Sequence, residues 1–180
     1  MVAFITGIVI YNISDDCPKG NYWELKANGN FPKVNAAASF CNVSVNSNTW
    51  VLFVQYACCF GVELTMNNAA ALYFRDEFGQ SAQAASAMAA IFGWLNLFAR
   101  GLGGFASDAS NYLHGMRGRL WVHMFCLLAE GLMVFAFAST NTLGGSILSM
   151  VVFSLFVQAA EGTSYAIVPY VDPPYTGSVS

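Results

Sequence analysis

Residues 82–105 read A-Q-A-A-S-A-M-A-A-I-F-G-W-L-N-L-F-A-R-G-L-G-G-F, and Arg100 is the only charge among them. A helix rises about 1.5 Å per residue, so a run of this length crosses a hydrocarbon core about 30 Å thick. Residues 49–73, 120–138 and 145–170 are further apolar runs of spanning length. Between the four runs lie polar breaks: Arg75-Asp76-Glu77, then residues 107–119, then residues 139–141. Breaks this short force neighbouring helices to run antiparallel. Lipid cannot satisfy open backbone groups, and no strand-like alternation suggests a barrel, so helices are the one spanning structure available. The expected fold is an all-α polytopic membrane protein.

Composition leads to the same class. Of the 180 residues, 56% are hydrophobic and 9% charged. Soluble domains carry about 25% charged residues, too many more for this chain to cover a soluble surface. The mean hydropathy of +0.50 agrees. A net charge of -3 and a single short-range basic pair, Arg117 and Arg119, give no groove for nucleic acid. The five cysteines, Cys17, Cys41, Cys58, Cys59 and Cys126, have neither CxxC spacing nor paired histidines, so they read as packed or free thiols with no metal site. No phosphate-cradling GxxxxGK[ST] occurs, and Gly101, Gly103 and Gly104 follow no strand. His114 and His123 have no matching nucleophile or acid. An enzyme is the least supported class, and no cofactor is implied.

Outside the four runs the expectations are coarser. Residues 1–13 read as the end of a truncated transmembrane helix, because the run is shorter than a span and has neither a basic n-region nor a cleavage site. Residues 14–48 hold Asp15, Asp16, Lys19, Glu24, Lys26 and Lys33 among the breakers Gly20, Gly29 and Pro32, and read as a long aqueous loop. Residues 171–180 read as a further truncated loop, and the sequence as part of a longer protein. The basic residues of 14–48, with Arg117 and Arg119, place those two loops in the cytoplasm. The sequons at Asn12 and Asn42 would then escape glycosylation.

Several polar groups sit within the spans. Arg100 costs at least about 2.5 kcal/mol to insert, so it should face protein interior or a watery path. Its planar fork suits a flat oxyanion. The alternatives are snorkelling to the interface or pairing with an acid such as Asp108. Tyr56, Phe60, Glu63 and Asn67 share one helical face, which suits a cavity wall better than lipid. Gln158, Glu161 and Tyr165 repeat the theme, with Gly162 and Pro169 in positions that would tolerate local unwinding. Glu130 is a third carboxyl within a span. Ala85, Ala89, Gly93, Leu97 and Gly101, with Ala82, Ser86 and Ala90 beside them, form small-residue stripes that predict close helix packing.

Three stretches resemble one family. They are residues 92–108, F-G-W-L-N-L-F-A-R-G-L-G-G-F-A-S-D, followed by Gly115-Met116-Arg117-Gly118-Arg119; Phe60-Gly61-Val62-Glu63-Leu64-Thr65; and Gln158 through Glu161-Gly162 to Pro169-Tyr170. In this order they are similar to the nitrate/nitrite porters of the major facilitator superfamily, nearest to those of algae, diatom-like, and plants. The resemblance implies a twelve-helix fold of which this chain is a fragment: the end of helix 6, the central loop and helices 7–10. It implies that nitrate binds between one arginine from each half, the second-half arginine being Arg100. The walling aromatics fall on Tyr56 and Phe60, and Asn96 lies one turn before the arginine. Glu63, Asn67, Gln158, Glu161 and Tyr165 would form a polar pathway. Many family members read Ala-Arg-Pro where this chain reads Ala99-Arg100-Gly101.

The implied function is high-affinity nitrate import, with nitrite as a further substrate, by alternating access at the plasma membrane and with proton coupling. A nitrate sensor or transceptor on the same fold, or a nitrate/nitrite exchanger, is the alternative. Some plant relatives need a small single-span accessory membrane protein.

Overall fold

A computed structural model of the protein describes residues 2–14, 22–28 and 35–179. The described elements are α1 (Val2–Ile13), α2 (Tyr22–Ala27), α3 (Ala36–Val45), α4 (Ser47–Phe78), α5 (Ala82–His114), α6 (Met116–Ala138), α7 (Leu143–Val171), a 3-10 turn (Pro173–Tyr175) and α8 (Thr176–Val179). No strand occurs among the described residues. Four helices, α4 to α7, are long and apolar enough to cross a membrane. The chain divides into two compact units, Met1–Ser39 and Phe40–Ser180. In the first, α1 exposes all of its apolar side chains.

The spans begin and end where local chemistry dictates. Asn46 caps α4 by accepting the Asn48 amide at 3.0 Å. Gly79 ends that helix in the left-handed region at φ 59°, which glycine adopts without a Cβ clash. Ser81 caps α5 by accepting the Ala84 amide, and Thr142 caps α7 by accepting that of Gly145. A single residue, Gly115 at φ 64°, separates α5 from α6.

That turn corrects one expectation. The polar stretch 107–119 is helical except at Gly115. Its Ser, Asp and Asn residues ride on the last turns of α5, and only a positive-φ glycine breaks the run. Arg75, Asp76 and Glu77 likewise belong to α4, whose break is the short segment 79–81. Residues 14–48 also contain α2 and α3. Asn35 opens α3 by accepting the Ala37 amide at 3.0 Å, and the alanine run that follows sustains the helix. Asp15, Asp16, Cys17, Lys19, Gly20, Gly29, Pro32 and Lys33 lie outside the described residues. Asn12 and Asn42 stand within α1 and α3, and residues 173–179 form the 3-10 turn and α8.

Within the second unit α7 is the central helix. It packs against α4, α5 and α6; α5 meets α4 and α6, while α4 and α6 meet through side chains such as Tyr73 and Phe137, whose ring centroids are 5.2 Å apart. The core is built from Phe74, Phe92, Met150, Phe153 and Val157, all fully buried or nearly so. Outward-facing Phe53, Trp94, Phe98, Trp121, Phe125 and Phe135 cover the periphery, as a lipid-facing surface requires.

The closest helix crossing is between α5 and α7. A Cβ on Gly103 would overlap the Ala159 backbone, and one on Gly162 would overlap the Arg100 carbonyl. The packing seam therefore differs from the expected small-residue stripe. Ala85 is buried, but Leu97 is exposed, a Cβ added at Gly93 or Gly101 would meet open space, and Ala82, Ser86 and Ala90 also face outward. The seam runs through Ala85, Phe92, Ala99, Gly103 and Ser107 because α5 presents a mixed large-and-small ridge to α7. Gly162 serves this contact with the helix intact. No unwinding occurs there, and α7 continues through Pro169 to Val171.

Candidate functional site

The α5–α7 crossing brings Arg100 against α7, where Gln158 and Glu161 stand one turn apart on the buried face. Glu63 arrives from α4. All three converge on one guanidinium. Arg100 Nη2 donates to Glu63 Oε2 at 3.1 Å, to Gln158 Oε1 at 3.2 Å, and to Glu161 Oε2. The other Glu63 oxygen accepts from Asn96 Nδ2 at 3.2 Å and from Gln158 Nε2 at 3.0 Å. Five side chains from three helices thus form one hydrogen-bonded network.

The electrostatics of this network are unequal. Glu161 is fully buried and the Glu63 side chain is 5% exposed, whereas the Arg100 side chain is 35% exposed. One positive charge meets two carboxyls. Such a group is tolerated inside a span because its charges meet partners that lipid would not supply. Two buried atoms of the network, Arg100 Nε and Glu161 Oε1, have no hydrogen-bond partner. Every described Arg100 bond uses Nη2, so its fork is occupied at one nitrogen only.

Aromatic residues stand beside the network. Tyr56 stacks on Phe60 with centroids 5.6 Å apart and 11° between planes. Tyr165 meets Tyr56 edge-on at 5.6 Å, and their hydroxyls are 3.1 Å apart. Tyr165 is one turn beyond Glu161, and Phe60 one turn before Glu63. Tyr56 and Tyr165 also line an apolar cavity of about 320 Å³ with Trp50, Phe53 and Ser164. Asn67, one turn past Glu63, is exposed.

The expected residues are therefore largely brought together. Arg100, Asn96, Glu63, Gln158 and Glu161 bond directly, and Tyr56, Phe60 and Tyr165 pack as a set. The alternative pairing of Arg100 with Asp108 does not occur. Asp108 instead pairs with Arg119 at 2.7 Å. Arg119, expected as a loop charge, lies in α6 and is 6% exposed. Its guanidinium sits 5.1 Å from the Tyr170 ring centroid and 3.4 Å from Ser107 Oγ. This second cluster was not legible beforehand, because residues 107–119 read as loop. A helical reading would have put Asp108 near the end of one helix and Arg119 at the start of the next. Also unforeseen is the buried pair His123 Nδ1 and Thr163 Oγ1, 2.8 Å apart, which ties α6 to α7.

Curated relatives match over nearly the whole chain. High affinity nitrate transporter 2.5 of Arabidopsis thaliana is 36% identical over 176 residues, 98% of this chain and 35% of that protein. Nitrate transporter 2.2 of Chlamydomonas reinhardtii is 38% identical over 188 residues, 99% of this chain and 36% of its own. Over nearly its whole length the chain is similar to nitrate transporters of plants and algae. High-affinity nitrate transporter 2.3 of Oryza sativa, 36% identical across 100% of this chain, extends the kinship to rice. The chain spans about a third of the length of these relatives. No protein-family model matches it. No solved structure matches it. Kinship and helices together make it a multi-pass membrane protein.

Proposed function

We propose that this chain forms part of a twelve-helix plasma-membrane transporter that imports nitrate with high affinity, coupled to protons, by alternating access. Arg100 is the anion-binding residue in this half. The observation that carries the reading is a guanidinium inside a span, a third exposed, with one nitrogen engaged and Nη1 not used by any described bond. A flat, singly charged oxyanion fits the remaining edge of that fork. Tyr56 and Phe60 supply a wall beside it, and Tyr165 braces Tyr56 through the hydroxyl pair. Glu63, Gln158 and Asn96 hold the arginine in place. Nitrate is the substrate named for the relatives, and it has the planar geometry this arrangement favours. Nitrite shares that chemistry.

Rigid-body rocking of two halves about a central site is the general mode of such folds. The intact α7 and its close glycine crossing with α5 support the reading that these helices move together.

The test is labelled-nitrate entry into cells lacking nitrate uptake, using the full-length transporter and Arg100→Lys at matched surface expression. Lysine keeps the charge and loses the fork, so uptake is expected to fall by about 100-fold or more. Equal uptake by both proteins would move the anion site away from Arg100. A wild type that reaches the surface, binds nitrate and moves none would establish the sensor instead.

A further inference from the structure

We propose that Glu161 carries the proton that enters with the anion, and that protonating it is what releases Arg100 to bind. The inference rests on the nitrate reading of Arg100 and names the group that couples it to pH. The two carboxyls on Arg100 are not equivalent. Glu63 has donors besides the arginine: Asn96 and Gln158 both bond its Oε1. It stays solvated as a carboxylate if Arg100 turns away. Glu161 has no such reserve. It is fully buried, its one described donor is Arg100, and its Oε1 has no partner. A buried carboxylate stripped of its only cation is strongly disfavoured.

The free edge of Arg100 therefore cannot swing onto a substrate anion while Glu161 is ionised, because that turn draws Nη2 off Glu161. A proton from water removes the conflict. The protonated Glu161 carboxyl can donate to Glu63, which lies within hydrogen-bonding reach, so neither acid then needs all of Arg100. Charge is conserved in the exchange. Before it, the cluster holds one cation and two carboxylates. After it, the cluster holds the cation, one carboxylate, one neutral acid and one monovalent anion. The net charge is one negative unit in both states, so anion and proton enter one for one without burying new charge. On the return, loss of the anion lets Glu161 give up its proton and recapture Arg100.

The ionisable groups around Glu161 leave it the best placed. From α4 come Glu63, Tyr56 and Cys59, and from α5 Arg100. On α6, Glu130 lies beside Cys59 and His123 is bonded to Thr163, so neither bonds Arg100. Tyr165 on α7 bonds Tyr56.

The experiment is labelled-nitrate binding to the purified full-length transporter from about pH 5 to pH 8, with proton uptake followed in weak buffer. Across the range where binding takes up the proton, the wild-type Kd is expected to rise about tenfold per pH unit. Glu161→Gln should bind with a Kd that no longer varies with pH, and nitrate should draw no proton into it. Glu161→Asp should restore the slope, and Glu63→Gln should keep it. A slope that persists in Glu161→Gln, or vanishes only in Glu63→Gln, would overturn the assignment. If Glu161→Gln does not fold, wild-type proton uptake decides: one proton per nitrate supports the coupling and none overturns it. A wild type that binds nitrate without any pH slope sinks this inference alone. A wild type that binds no nitrate sinks the substrate reading with it.

Discussion

Arg100 and Arg119 both pair with acids on neighbouring helices, and they are used in opposite ways. Arg119 is enclosed: Asp108 neutralises it one to one, Ser107 bonds it, and the Tyr170 ring covers its face. Arg100 is a third exposed and faces two acids with one charge. A balanced pair with a covered cation is a strut between α5, α6 and α7. An unbalanced, open one has spare valence on the cation and spare charge on the acids, and both can be exchanged for a ligand. The difference shows that a charge in a membrane span marks a site by its imbalance and access, and that intramembrane position alone does not separate the two roles.

Breaking the frame around Arg100 should have the largest effect. Gly162→Leu places a side chain into the Arg100 carbonyl, a backbone atom that cannot swing aside. The α5–α7 crossing is then lost, and the full-length protein is expected to lose most of its folded, monodisperse yield by size exclusion, as overpacking at a backbone contact predicts. Near-normal yield would mean that the crossing is looser than described.

Removing single hydroxyls sharpens the contrast more gently. Tyr56→Phe deletes the bond to Tyr165 and leaves the stack on Phe60. The KM for nitrate should rise roughly two- to fivefold, the effect of about 1 kcal/mol. Tyr170→Phe keeps the ring over Arg119 and should leave the KM for nitrate where it was. Kinetics of labelled uptake separate the two, and equal effects would erase the distinction between site and strut.

Much of this was readable in the residues. The four spans follow from apolar length, and Arg100, Glu63, Glu161 and Gln158 stand out because polar groups in lipid demand partners. Periodicity put Tyr56, Phe60 and Glu63 on one face of α4. What sequence could not supply was pairing across helices. Asp108 was equally available to Arg100 and Arg119 until the turn at Gly115 folded α6 back on α5. The small-residue stripe of α5 misled for a related reason. Gly93 and Gly101 are small yet open, while Gly103 makes the contact, because the facing ridge of α7 decides which small residues are needed. The helices in residues 14–48 were hidden by loop-like composition, although Asn35 and the alanines after it carried a cap and a propensity signal.

The most direct measurement compares nitrate affinity in the purified full-length transporter, Arg100→Lys and Arg119→Lys, by equilibrium binding at fixed pH. Arg100→Lys should weaken binding by about 100-fold, because the fork is lost at the anion. Arg119→Lys should stay within about threefold of wild type and lower Tm by a few degrees, since it loses packing and pairing away from the site. Binding unchanged by Arg100→Lys, or abolished by Arg119→Lys in a folded protein, would contradict the assignment of site and strut.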